Sequence, residues 1–156
     1  MKNPQSKAKH CKALIGITDT STPKLDLDNV SYKTAKYWAF KILRLFKSKS
    51  KKKWTPNTKI DLEGFLIVKS SPKHYHIIYN RSVEWLENLN VVAWTCLLSH
   101  KTELMKWLVM QIIKGSSTLR IGKKFDKPAP RIVFRFGKQD GEIKAYLKFR
   151  RENHDV

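Results

Sequence analysis

The strongest constraint on the fold is an alternation, Lys24-Leu25-Asp26-Leu27-Asp28, answered later in the chain by the run His74-Tyr75-His76-Ile77-Ile78-Tyr79. Alternate side chains of a strand share a face, roughly 6.5–7 Å apart. Asp26 and Asp28 therefore stand side by side, while Leu25 and Leu27 point the other way into a core. His76 belongs to an apolar run that suits a neighbouring strand. Two acids and a histidine on adjacent strands form a donor set for metal-dependent chemistry on nucleotides or nucleic acid.

Periodicity places the other elements. Ala13-Leu14-Ile15-Gly16-Ile17-Thr18 reads as a first strand and Lys24 to Asp28 as a second, with a turn-rich stretch from Asp19 to Pro23 between them. Asn29 or Ser31 is positioned to cap a helix in which Ala35, Trp38, Ala39, Ile42, Leu43, Leu45 and Phe46 recur at helical spacing, ending near Lys47. Gly64 to Lys69 and Tyr75 to Tyr79 read as strands joined by a turn at Ser70 to His74, where Pro72 supplies a fixed φ. Ser82 is the expected cap of a helix through Glu84 to Leu98, and Thr102 of another through Ile113. Thr118 to Ile121 and Arg131 to Phe136 read as strands, and Glu142 to Arg150 as a short final helix. Trp38, Trp85, Trp94 and Trp107 fall at helical positions and are expected in the core. Hairpins interrupted by helices predict an α+β class. The expectation is one domain over 13–150, with an RRM-like or palm-like, mostly antiparallel sheet and helices packed on one face. Residues 1–12 read as a flexible basic arm and 151–156 as a tail.

Charge selects the partner. Lys plus Arg number 32 against 13 Asp plus Glu, a net charge of +19. That excess favours a polyanion, DNA or RNA above all, because neutralising phosphates releases condensed counterions. No membrane partner is expected, since the longest apolar run, Val91 to Leu98, is too short to span a bilayer. Cys11 and Cys96 form no CxxC pair, and Ala13 to Ile17 is too short for a signal-peptide core. Both point to a reducing, cytoplasmic setting, which for a viral protein is the host cytoplasm. Lys47 to Lys53 holds five lysines in seven residues and should form an exposed loop. Lys49, Lys51, Lys52, Lys53 and Trp54 are candidate nucleic-acid contacts there, with Arg131 further along the chain.

Three segments carry the candidate chemistry. Asp26 and Asp28 supply two carboxylates for Mg²⁺ or Mn²⁺, to be completed by substrate phosphates. Ser71 and Lys73 precede His76 in the turn, where a phosphate group can be met, and histidine can donate a hydrogen bond to a phosphate oxygen. Lys114 to Lys124 gathers glycines, hydroxyls and four cations in eleven residues. Arg120, Lys123 and Lys124 are its candidates for phosphate or template. The segment lacks the GxxxxGK[ST] spacing of a P-loop.

In this order the motifs resemble the catalytic core of the archaeo-eukaryotic primases, especially the compact primase-polymerases of plasmids and viruses. Asp26-Leu27-Asp28 matches the DxD strand of that family. Ser71 to His76 matches its hairpin with an SxH-type motif, and Arg120-Ile121-Gly122-Lys123-Lys124 loosely matches a later basic segment. The resemblance covers residues 13–136 and implies a replication protein that transfers nucleotides. It implies catalysis by Asp26, Asp28 and His76, with the metal at the two aspartates. Ser71, Lys73 and His76 would grip the triphosphate, and Arg120, Lys123 and Lys124 would hold template or phosphate. Other replication proteins are implied partners. Two features depart from the family pattern. His74 stands where glycine is usual, and no Asp occurs from Glu63 to Phe125 to serve as a third metal-binding acid. A degenerate site is therefore one form of this expectation.

Three other readings use the same residues differently. His74 and His76 on one strand face resemble the metal site of HUH-type rolling-circle nickases, with Tyr146, near Lys144 and Lys148, as a candidate nucleophile. Glu84 and Glu87, three apart on a helix, suggest a small viral nuclease. A non-catalytic single-strand binder would need only a basic groove and stacking rings, for which Trp54, Tyr75, Tyr79 and Phe134 are candidates.

Overall fold

The alternation at Lys24–Asp28 becomes a strand at the edge of a sheet, and the rest of the fold covers what that sheet exposes. A computed structural model describes residues 16–47, 55–123 and 127–153. The expected arm at 1–12, Ala13 to Ile15 of the first expected strand, Lys49, Lys51, Lys52, Lys53, Trp54 and Lys124 lie outside the described residues. The elements run β1 (Gly16–Asp19), β2 (Lys24–Asp28), α1 (Tyr32–Lys47), β3 (Gly64–Ser71), β4 (His74–Tyr79), α2 (Trp85–Ser99), α3 (Thr102–Lys114), β5 (Ser117–Arg120), β6 (Arg131–Gly137) and α4 (Glu142–Asn153). The last helix reaches Asn153, three residues into the expected tail. The result is a small single α+β domain with antiparallel sheets and, among the described residues, four helices.

Four strands form one sheet in the order β2-β4-β3-β6, while β1 and β5 pair as a separate two-stranded ribbon. Every pairing is antiparallel. The β3–β4 turn uses Pro72 for its fixed φ and places Lys73 at a left-handed φ of 60°. The Lys73 carbonyl accepts the Val30 N–H at 3.0 Å, which ties the end of β2 to that turn.

Local capping departs from expectation at two helices. Ser31 does cap α1, its Oγ accepting the Thr34 N–H at 3.1 Å, while Asn29 takes a left-handed φ. Glu84 rather than Ser82 caps α2, in a reciprocal pair in which Glu87 accepts the Glu84 N–H at 3.0 Å. Lys101 occupies the cap of α3, and Thr102 is the first helical residue.

The sheet is covered on both faces, not on one. Leu25, Leu27, Phe65, Ile67, Tyr75, Ile77 and Tyr79 form one face and bury against α1, α2 and α3. Leu66, Val68 and Ile78 form part of the other and bury against Leu119 of β5, Ile121 just after it, and Ile143 and Tyr146 of α4. The physical reason lies in Gly64–Val68 and Tyr75–Tyr79, which are apolar on successive rather than alternate residues, so each face needs cover. Each fully buried Leu or Ile contributes about 1.5–3 kcal/mol. Asn80 fixes the entry to α4, its Oδ1 accepting the N–H groups of Gly141 at 2.9 Å and Ile143 at 3.2 Å. Trp38, Trp94 and Trp107 pack, partly buried, against the core as expected.

Charge is also enclosed at the covered end of β2. Lys24 is fully buried, and its ammonium donates to Asp19 Oδ1 at 2.7 Å and to Ser117 Oγ at 3.0 Å. Burial pushes its pKa down, and the Asp19 carboxylate opposes that shift. Thr22 joins the network through Asp19 and Glu142, so β1, β2, β5 and α4 meet at this point.

Candidate functional site

The second face of the sheet is only half covered, and the open half holds the chemistry. β2 turns Lys24, Asp26 and Asp28 to this face, and β4 turns His74 and His76 to it. Antiparallel pairing sets Asp26 opposite His76 and Asp28 opposite His74. Beyond the edge of the α4 cover, these four side chains line an open cleft of about 330 Å³ with Ser70, Ser71, Arg120 and Lys127.

The two acid–histidine pairs differ. His74 Nδ1–H donates to Asp28 Oδ1 at 2.6 Å, at a half-exposed position. His76 is buried, with Nε2 3.6 Å from Asp26 Oδ1 and with Nδ1 left without a hydrogen-bond partner among the described residues. Burial lowers the His76 pKa to about 3, with the charges of Arg120 and His74 acting in the same direction. Its ring is therefore neutral at physiological pH, and its approach to Asp26 is not an ion pair. Burial, then the charge of Asp28, raises Asp26 to about 7, while His74 and Arg120 pull the other way. A carboxyl held this far from its ordinary value beside a second acid has less counter-charge than it needs.

Arg120 shapes the wall rather than projecting a free fork. Its Nη1 donates to the carbonyls of Gly122 at 2.6 Å and Pro128 at 3.0 Å, and its Nη2 donates to Ser70 at 2.7 Å. The expected bidentate phosphate contact is thus largely replaced by a clamp that holds Gly122 and Pro128 against the end of β3.

Of the expected site residues, Asp26, Asp28, Ser71, His76 and Arg120 meet in this cleft. Lys73 is exposed at the turn and Lys123 is exposed on the loop, and neither lines the cleft. Arg131 lies at an adjoining hollow. Lys127 and Ser70 were missed. Lys127 belongs to no periodic pattern in the sequence, and Ser70 precedes the turn at a β-bulge that shifts the pairing of β3.

Several alternative candidates serve the fold. Tyr146 is buried in the core under α4, away from the cleft, so it is not presented to His74 and His76. Glu84 and Glu87 form the α2 capping box. Tyr75 and Tyr79 are buried beneath α1, with Tyr79 Oη donating to the Ala39 carbonyl at 3.0 Å, and so cannot stack on bases. Phe134 packs beside Phe40 and Phe65 and carries the Lys36 ammonium 4.2 Å from its ring centre.

The donor chemistry suits a hard divalent cation held open-sidedly. Asp26 and Asp28 offer oxygen ligands, and the raised Asp26 marks the counter-charge they lack. Among the described residues, no group of three or more His, Cys, Asp or Glu side chains is arranged to hold a metal ion. Phosphate oxygens and water would have to complete the shell. Among the described residues, no helix is long and apolar enough to cross a membrane. Scans against protein-family models, curated proteins and solved structures find no match for this chain.

Proposed function

We propose that this chain binds DNA or RNA in replication and that its open cleft is a primase-polymerase-like site for nucleotidyl transfer. One observation carries the reading: Asp26 and Asp28 face a single open cleft together with His76, on hydrogen-bonded neighbouring strands. The net charge of +19 supports a polyanionic partner.

Asp26 and Asp28 would hold Mg²⁺ or Mn²⁺. The ion, when bound, neutralises triphosphate charge and lowers the pKa of an attacking hydroxyl. His76 is neutral and lines the cleft, and a proton on Nε2, the nitrogen on the Asp26 side, would serve as donor to a phosphate oxygen. Ser71 borders the same space, and Lys127 adds a cation to its wall. Arg120 keeps that wall in place through its three carbonyl contacts.

The test is an extension and cleavage assay on primed, unprimed and circular single-stranded DNA with Mg²⁺ or Mn²⁺. Incorporation by the wild type that is lost in Asp26→Ala and in His76→Ala supports the site. Incorporation untouched by both changes sinks it. A non-catalytic binder is the second reading, favoured by the lack of any Asp from Glu63 to Phe125, where the acids after His76 are Glu84, Glu87 and Glu103 at the starts of α2 and α3, not in the cleft. Tight binding with no turnover in any variant selects it.

A further inference from the structure

Next to the cleft lies a second hollow of about 300 Å³, and the two share Ser70 and Ser71 as a common wall. The chemistry changes across that wall. Pro72, Pro128 and Ala129 give the second hollow apolar sides, and Lys69 and Arg131 stand with them. Arg120 fixes the partition, since its guanidinium bonds the carbonyls of both Ser70 and Pro128. The apolar space is therefore held open by the same residue that walls the cleft.

A second observation points to an anion on the far side. Lys69 of β3 and Arg131 of β6 are direct cross-strand partners. Like charges placed opposite each other destabilise a sheet. The ion pairs among the described residues include neither of them. A phosphate between them would relieve the repulsion through charge-assisted hydrogen bonds.

We propose that this hollow seats the base and sugar of one nucleotide within a single strand. One flanking phosphate would lie in the Asp26–His76 cleft and the next between Lys69 and Arg131. The inference rests on the reading of the cleft as a phosphate site. Proline rings and an alanine offer flat apolar contact to any base, so the slot tolerates sequence. The Ser71 hydroxyl at the shared wall is placed for the sugar. The order anionic site, apolar slot, anionic site is the repeat of a nucleic-acid strand, and a free mononucleotide would leave the Lys69–Arg131 pair unfilled.

Fluorescence anisotropy with a labelled single-stranded 10-mer, and with the same 10-mer made fully abasic, tests this without catalysis. Ala129→Trp fills the slot. It is expected to weaken the normal 10-mer about tenfold and to leave the abasic one nearly unchanged. Arg131→Ala, at an exposed position, should lower the salt dependence by about one unit of slope for both probes. Equal losses for normal and abasic strands in folded Ala129→Trp, or an unchanged slope in Arg131→Ala, overturn the proposal. If Ala129→Trp does not fold, the Arg131→Ala slope alone decides. Tripolyphosphate separates this proposal from the reading of the cleft. Failure of tripolyphosphate to compete for wild type removes the cleft as a phosphate site. Competition in wild type together with base-blind binding removes only the slot.

Discussion

One strand carries charge at both ends of one face, and the fold treats the two ends oppositely. At the start of β2, Lys24 is sealed beneath the β1–β5 ribbon and α4 and bonded to Asp19 and Ser117. At its end, Asp26 and Asp28 face an open cleft that His74 and His76 also line. The closed end has satisfied its charge with protein groups and so helps hold the fold together. At the open end Asp28 bonds His74, but Asp26 lies 3.6 Å from His76, beyond a hydrogen bond, and that deficit is what the proposed cation would fill. Unmet polar groups in a folded protein concentrate where a ligand is meant to arrive.

The largest expected effect lies at the closed end. Lys24→Ala leaves the network around Asp19 without its cation and should cost about 3–5 kcal/mol, read from urea unfolding. Lys24→Met, which retains volume, should cost less. Equal losses would mean that charge pairing, not packing, dominates there.

The open end should respond in the opposite sense. Asp26→Asn is expected to lower the proposed nucleotidyl transfer about a hundredfold or more while leaving metal-free stability unchanged or raised. A large fall in the melting temperature of Asp26→Asn would break the contrast, because it would make Asp26 a structural residue like Lys24. Arg120→Ala should fall between the two, costing about 1–3 kcal/mol through its stranded carbonyl partners. It should also weaken strand binding by releasing the wall between the two hollows.

The smallest effect is a pH dependence measurable in metal-free buffer. Asp26, raised to about 7, keeps its proton in the folded state after the unfolded chain has lost it. Its contribution to stability therefore declines as pH rises from the ordinary carboxylate range, about 4, towards 7. His76, lowered to about 3, stays neutral in the folded state, so its contribution is present at neutral pH and is lost as pH falls below about 6.5. The two slopes oppose each other between about pH 4 and 6.5, and Asp26 alone acts just above that. Asp26→Asn should thus steepen the rise in urea midpoint across the lower window and flatten the curve near pH 7. A profile identical to wild type would show that Asp26 titrates normally.

Much of the strand pattern was legible because its period is local. DxD and HxH each place two polar groups on one face whatever surrounds them, and the cap at Ser31 follows from a hydroxyl three residues ahead of the backbone N–H that donates to it. Other features were not. Ser82 and Thr102 are good capping residues, yet Glu84 and Lys101 hold the caps, since packing of the first helical turn decides where a helix starts. Tyr75 and Tyr79 looked like stacking rings because a sequence does not say which face of a strand a helix covers. Arg120 looked like a phosphate fork because its carbonyl partners lie at the end of β3 and in a loop without a pattern.

The amino-acid sequence by itself determined that acids and histidines would line strand faces and that the chain would carry a large positive charge, because side-chain alternation and net charge need no long-range contact. Only the tertiary structure decided that Asp26 pairs with His76 and Asp28 with His74, that α4 stops short of covering them, and that Lys24 on the same face is sealed. Register and cover depend on how much apolar surface each face must bury against distant segments, and that balance is struck only when the whole chain has packed.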